Sequence, residues 1–204
     1  YYECAADAAG RGTLVIDNSG GFAPAAADRA NYCTRLGDAT DSREPFGTVI
    51  VRNKAVLRIV AGCTLQVTRG FSVDSTSALV SDSNSCLEFV GTEDATVDGT
   101  FSLAGLKCAV PGKQISFAAG KTVSIANNGT LTLEGAAGNE IILRSQTDGT
   151  AWKLTVGADV TSSLVAVDVA DADASAGASV SVVSGTNSGG NSANWIFLGP
   201  IQPG

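Results

Sequence analysis

The stretch that decides the fold runs from residue 63 to residue 125 and reads CTLQVTRGFSVDSTSALVSDSNSCLEFVGTEDATVDGTFSLAGLKCAVPGKQISFAAGKTVSI. Its cysteines, Cys63, Cys86 and Cys108, lie 23 and 22 residues apart. When the chain is cut after each cysteine, short β-branched runs fall on one another and glycines fall between them. Each unit of 22–23 residues then holds three short strands.

The alignment of these units predicts which strands are neighbours. It places residues 101–103 on residues 123–125, and residues 95–97 on residues 115–117. It also places residues 64–67 on residues 87–90. Connections this short leave no room for crossover helices, so the pattern predicts an all-β parallel β-solenoid, a right-handed β-helix with three strands per coil. An antiparallel sandwich also has short, regularly spaced strands, but it gives no reason for the recurring cysteines.

The composition narrows the classes of partner. The chain is 44% hydrophobic, carries a net charge of −7, and contains neither Met nor His. Its 13 Lys and Arg residues are scattered singly, which argues against nucleic acid and against an anionic membrane surface. No apolar run approaches the ~20 residues of a membrane-spanning helix. A start without Met, together with five cysteines, predicts a processed, secreted or cell-surface protein.

We expect one structural domain with two modified ends. Residues 1–47 form an N-terminal cap or assembly segment, residues 48–145 the regular coils, and residues 146–204 irregular coils with an apolar tail. In the cap, residues 13–16 predict a strand, and residues 24–36 predict a short helix over the first coil. The other reading of this segment is an excursion loop or a surface for a neighbouring subunit. Beyond residue 145 we expect strands at residues 152–156, 164–169, 179–183 and 195–198, and a turn-rich loop at residues 185–194.

The C-terminal third carries a resemblance to a known group of proteins. It reads EIILRSQTDGTAWKLTV at residues 140–156, VAVDVADADAS at residues 165–175 and NSANWIF at residues 191–197. This progression resembles the end of secreted bacterial parallel β-helix surface proteins of the adhesin-like and pectin-lyase-like kind. The resemblance implies the fold and export, and it does not choose among adhesins, stalks, surface-layer components and polysaccharide-cleaving enzymes.

The cysteines suggest disulfides. Equivalent residues of adjacent coils lie about 4.8 Å apart, so Cys63–Cys86 or Cys86–Cys108 is a possible bond. Cys4 and Cys33 are natural partners within the N-terminal segment. One of the five cysteines is then left over, for an intermolecular bridge, a free thiol, or a buried thiol acting as a small hydrophobe.

Few residues suggest a metal ion or a cofactor. Asp168, Asp171 and Asp173, with Ser175, form a weak Ca²⁺ candidate, because alternating carboxylates on a turn offer hard oxygen ligands. The spacing is not that of an EF-hand loop, and a solvated turn is the simpler interpretation. Without His or a CxxC motif, zinc is not expected, and no other cofactor is implied.

Catalysis finds little support in the sequence, and we expect no enzyme. Without His, a Ser-His-Asp or Cys-His triad is impossible. The densest acidic group, which a polysaccharide-cleaving enzyme would need, comprises Asp82, Glu88, Glu93, Asp94 and Asp98. Lys107, Lys113 and Lys121 recur in neighbouring units and are interpreted as solvated rim charges.

The preferred function is a structural subunit of an extracellular filament, sheath or surface layer, in which identical solenoids stack head to tail. The residues expected at the joint are apolar or aromatic and lie near the two ends: Tyr1, Tyr2, Leu14, Ile16, Trp195, Ile196, Phe197, Leu198 and Ile201. The first alternative is an adhesin or carbohydrate-binding stalk that reads glycans through Trp152 or Trp195. The second is a polysaccharide lyase or hydrolase.

Overall fold

The structure, a computed structural model, describes residues 12–36 and 45–199. It is an all-β fold in which a large parallel sheet curls nearly closed around one core, and it is compatible with a β-solenoid. In the described residues the strands pair only in parallel. One isolated antiparallel bridge, which belongs to no strand, joins Ala136 to Asn139. The one helix in these ranges is a 3-10 turn at Ala26–Asp28.

Nineteen strands are formed by residues 12–36 and 45–199. In chain order they are β1 (Thr13–Asp17), β2 (Thr34–Leu36), β3 (Phe46–Arg52), β4 (Val56–Ile59), β5 (Thr64–Val73), β6 (Ala78–Ser81), β7 (Cys86–Phe89), β8 (Ala95–Asp98), β9 (Phe101–Cys108), β10 (Gln114–Phe117), β11 (Thr122–Glu134), β12 (Ile141–Ser145), β13 (Trp152–Val156), β14 (Thr161–Val165), β15 (Val167–Ala170), β16 (Ala172–Asp173), β17 (Val180–Val183), β18 (Thr186–Gly189) and β19 (Trp195–Leu198).

The strands fall into three rows, and the chain visits the rows in turn. The first row is β1, β3, β5, β8, β10, β12, β15 and β18. The third row is β5, β7, β9, β11, β14, β17 and β19, in which β5, β9 and β11 bend and serve two rows each. The second row has two parts, β2–β4–β6 and β9–β11–β13–β16, joined where the Ala104 amide donates to Ser81 Oγ at 2.9 Å.

The register confirms part of the sequence alignment and corrects the rest. Phe101 lies opposite Val123 and Ala95 opposite Ile115, as predicted. Residue 64, however, lies opposite Cys86 and not opposite residue 87, so the predicted alignment is wrong by one position. The repeat is not constant either. Paired residues in β4 and β6 are 22 positions apart, whereas Leu133 and its partner Leu164 are 31 apart.

The core is built from the inward-facing side chains of all three rows. Most strands alternate buried and more exposed residues, as a sheet with one dry face requires. Aromatic rings continue from row to row inside: Phe117 stacks on Trp152 at 4.0 Å between ring centroids, and Trp152 meets Trp195 edge to face at 6.3 Å. Burial of each such side chain stabilises the fold by roughly 1.5–3 kcal/mol.

Polar side chains and glycines shape the corners between rows. The Asp74 carboxylate accepts hydrogen bonds from the amides of Asn53 (2.7 Å), Thr76 (2.8 Å) and Ser77 (2.8 Å), and so joins one corner to the next. Burial raises the pKa of Asp74, but these hydrogen bonds outweigh it and lower the pKa to about 2. At the following corner Gly99 has φ +116°, and a Cβ there would overlap the carbonyl of Val73. The corner therefore requires glycine.

The two ends differ in detail from the sequence-based expectations. β1 is present as predicted, but residues 24–36 hold only the 3-10 turn at Ala26–Asp28 followed by β2, so the short helix predicted over this range is wrong beyond that turn. The expected loop at residues 185–194 contains β18, which pairs with β15. β14 and β15 replace the single strand expected at residues 164–169.

Candidate assembly surface

β19 is an edge strand of the large sheet. It pairs in parallel with β17, and in the part of the chain that the structure describes no strand lies on its other side. Such an edge presents unpaired backbone N–H and C=O groups in a row, which is a template for pairing with a further strand. The sequence of this strand, Trp-Ile-Phe-Leu, has high β-propensity and no charge.

The outward face next to this edge is apolar. Ile196 and Leu198 are 40% and 47% exposed, and Val165 is 39% exposed. Leu198 lies opposite Val183, which in turn lies opposite Val165, so one apolar stripe crosses three neighbouring strands. We call Val165, Val183, Ile196 and Leu198 the apolar stripe. Exposed apolar side chains that are contiguous in this way are characteristic of a surface that another protein covers.

The inward side of β19 is occupied. Trp195 is 5% exposed and packs on Trp152, while Phe197 is half-buried against the core. The strand is thus anchored on one face and open at its edge. Of the predicted joint residues, Ile196 and Leu198 lie on the open surface, and Ile201 lies outside the described residues.

The neighbouring edge strand, β18, is polar instead. Thr186 Oγ1 donates to the Glu140 carboxylate at 2.9 Å, and Ser188 Oγ donates to Asp168 Oδ1 at 2.6 Å. All four residues of β18 are exposed. The C-terminal end therefore has an apolar edge on the third row and a hydrophilic edge on the first.

At the N-terminal end, β1 pairs with β3, and no second strand neighbour occurs within residues 12–36 and 45–199. Ile16 is buried and Leu14 is half-buried against the core, so these two predicted joint residues serve the interior of the protein. Tyr1 and Tyr2 lie outside the described residues.

The predicted disulfides between coils do not form, because the cysteines do not share one column. Cys33, Cys63, Cys86 and Cys108 are all free thiols. Cys86 lies opposite Thr64, the residue after Cys63, and Cys108 lies opposite Phe89. Cys63 and Cys108 are buried, whereas Cys86 alternates with the buried residues of β7 and so faces the other side of the sheet. Cys4, the partner proposed for Cys33, lies outside the described residues.

The calcium candidate is dispersed in the structure. Asp168 pairs with Arg144, Asp171 Oδ2 accepts the Gly149 amide at 3.0 Å, and Asp173 Oδ1 accepts the Ser175 amide at 2.9 Å. Among the residues of known placement, no group of three or more acidic, Cys or His side chains converges as metal ligands would. Asp168 lies within β15, whereas Asp171 and Asp173 each accept a backbone amide.

Three of the acidic residues considered for catalysis are held in separate ion pairs. Asp82 pairs with Arg58 at 2.8 Å. Glu88 pairs with Lys107 at 2.9 Å on the outer face of the third row. Glu93 lies 3.9 Å from Arg69. Asp94 and Asp98 are exposed.

Lys113 corrects the interpretation of the lysines as rim charges. Lys121 is exposed, but the side chain of Lys113 is 0% exposed and its ammonium lies inside a corner. Burial lowers the pKa of Lys113, and the charges of Cys108, Asp94 and Glu93 act in the opposite direction. Nothing in the lysine spacing distinguished this residue from its neighbours.

One groove was not anticipated from the sequence. Phe22 and Tyr32 are 75% and 65% exposed and meet edge to face at 6.3 Å between ring centroids. They border a cavity of about 370 Å³ that Asp17, Cys33 and Lys54 also line. Exposed rings beside polar groups resemble the platforms on which sugars stack.

No helix in the described ranges has both the length and the apolar character to cross a membrane. The resemblance noted in the sequence is supported at the level of an all-β parallel fold. Comparison with protein-family models, with curated proteins and with solved structures finds no match to this chain.

Proposed function

We propose that this protein is a structural subunit of an extracellular filament, sheath or surface layer, built by head-to-tail stacking of identical copies. The observation that carries the proposal is the open, uncharged edge of β19 beside the apolar stripe. Parallel strand addition there satisfies backbone groups and covers Ile196 and Leu198 in one step. Contacts between unlike ends of identical subunits produce an open filament when the rotation from one subunit to the next does not close a ring.

The proposed architecture is a right-handed β-solenoid with about 22–23 residues in its regular coils and an N-terminal cap. The three rows and the 22-residue spacing of Leu57 and Leu79 support it. In the filament, β19 of one copy pairs with β1 of the next. The two strands have four and five residues, so their lengths match.

The test is sedimentation velocity over a wide range of concentrations, with negative-stain microscopy of the same samples. The wild type is expected to form larger species and filaments as the concentration rises. The double substitution Ile196→Lys with Leu198→Lys places two charges on the joint. The double substitution removes roughly 3 kcal/mol of favourable apolar burial from the joint, so we expect assembly to require about a hundredfold higher protein concentration.

A matched control separates the joint from the net charge. Thr161→Lys with Ser162→Lys adds the same two charges to β14, an interior strand of the same row, at two exposed positions. This variant should assemble as the wild type does. A wild type that stays monomeric at high concentration, or a control that disrupts assembly equally, refutes the proposal.

The second candidate function is glycan binding by an adhesin or stalk, and the groove at Phe22 and Tyr32 favours it. Trp152 and Trp195 are buried, at 1% and 5% exposure, so the rings expected from the sequence to read glycans are not accessible. Binding on a glycan array that Tyr32→Ala abolishes would support this function. Polysaccharide cleavage stays a prediction that turnover of an acidic polysaccharide would establish.

A further inference from the structure

The ammonium of Lys113 is enclosed by backbone oxygens. Its Nζ donates to the carbonyls of Thr68 (2.8 Å), Val90 (3.1 Å), Gly91 (3.0 Å) and Glu93 (2.5 Å). An ammonium has three protons, so four acceptors require that at least one hydrogen bond is shared. The side chain is 0% exposed. We call these four carbonyls the carbonyl cage.

The cage compensates the charge with dipoles and not with a counter-ion. No ion pair at Lys113 occurs in residues 12–36 and 45–199. The charged and titratable groups that act on it from a distance are Cys108, Glu93 and Asp94, and Arg69 lies 3.9 Å from the Glu93 carboxylate. Several carbonyl oxygens directed at one point are the arrangement with which proteins replace the hydration shell of potassium.

We propose that this corner is a binding site for a small monovalent cation or a primary alkylammonium, which the chain fills with its own Lys113 ammonium. Thr68 lies within β5, and Val90, Gly91 and Glu93 lie in the short corner between β7 and β8, so the carbonyls stay directed inward when the lysine is shortened. Loss of the Lys113 donor from four buried carbonyls is costly, and an external cation that reaches them relieves that cost. This inference is independent of the assembly proposal.

The experiment measures the stability of Lys113→Ala in potassium chloride, n-propylammonium chloride and choline chloride at equal ionic strength. n-Propylammonium restores the three methylenes and the ammonium that the substitution deletes, potassium restores only the charge, and choline is too bulky for the cage. A cation at ten times its Kd increases the folding equilibrium constant about tenfold. We expect this increase with potassium, with propylammonium or with both, relative to choline.

Three controls make the result specific. The wild type has the cage occupied, and Lys121→Ala removes an exposed lysine, so neither should distinguish the three salts. Lys113→Met fills the volume with an uncharged chain and should gain nothing from any cation. Equal stability of Lys113→Ala in all three salts overturns the proposal. Failure of Lys113→Ala to refold in any of the three salts also overturns the proposal, because the rescuing cations were present.

A second measurement uses the wild type alone. Reductive methylation followed by peptide mass spectrometry should modify Lys121 and Lys153, which are exposed, at least tenfold faster than Lys113. Methylation of all three at similar rates would show that the ammonium is not enclosed, and would overturn the proposal without any variant.

Discussion

Gly99→Ala tests whether neighbouring coils approach as closely as the structure indicates. Gly99 has φ +116°, a backbone conformation that side chains rarely adopt, and an added Cβ would overlap the Val73 carbonyl of the adjacent strand. The strained backbone costs about 1–3 kcal/mol, and displacing the neighbouring strand costs about the same again. We therefore expect the free energy of unfolding to fall by about 4 kcal/mol.

Gly62→Ala is the matched control. Gly62 also has a positive φ, +74°, but nothing lies within 4 Å of an added Cβ. Only the backbone strain remains, partly offset by the lower entropy of the unfolded chain, so the expected loss is about 1 kcal/mol.

Urea unfolding can be followed by circular dichroism and by the fluorescence of the two buried tryptophans, Trp152 and Trp195. The difference between the two variants isolates the contact between strands. Equal losses for Gly99→Ala and Gly62→Ala would refute the close approach of β8 to β5, and with it the register on which the description of the core depends.

Three further predictions follow from side-chain contacts. Arg58→Ala leaves Asp82 without its partner and breaks the hydrogen bond to the Ala30 carbonyl (3.1 Å), so urea unfolding should show a loss of about 2 kcal/mol; an unchanged midpoint would contradict it. Asp74→Ala should cost about 1 kcal/mol at neutral pH. Because the folded pKa of Asp74 is depressed to about 2, the difference in the free energy of unfolding between this variant and wild type should be complete above about pH 4 and should vanish as the pH falls towards 2. A pH-independent difference would show that the ionised carboxylate is not the stabilising group. Burial and Glu88 raise the pKa of Cys86 to about 11, so iodoacetamide at pH 7 should alkylate it about 100-fold more slowly in the native protein than in urea, and a disulfide-bonded Cys86 would not react in either state.

The repeat was visible in the sequence because inward positions recur along every row. Phe101 and Val123 aligned correctly since both begin an inward-outward-inward triplet. Aligning the cysteines with one another gave a wrong register because the position of a residue along its strand, odd or even, decides which face it points to, whatever its chemical identity. Cys86 has a parity opposite to that of the buried positions in its strand, so chemical likeness to Cys63 did not place the two side by side.

Other features depend on partners that are distant in the chain. β18 is a run of Thr, Asn, Ser and Gly with weak strand propensity, and it becomes a strand because β15 offers a register. The environment of Lys113 arises from carbonyls 20 to 45 residues earlier, which no local pattern records. The apolar strand at Trp195–Leu198 was predictable because its run of hydrophobic residues is apparent in the sequence, whereas its position at the edge of the sheet depends on its pairing with β17.

The buried lysine has a consequence for the order in which the fold is completed. Repeat proteins are usually described as units that interact only with their immediate neighbours. Lys113, however, reaches the carbonyl of Thr68, 45 positions back, across an intervening corner. During synthesis, which proceeds from the N-terminus, the early corners acquire their donor only after residue 113 has emerged. The middle of this protein therefore matures as one block, and a polypeptide cut short before that residue lacks the group that ties its corners together.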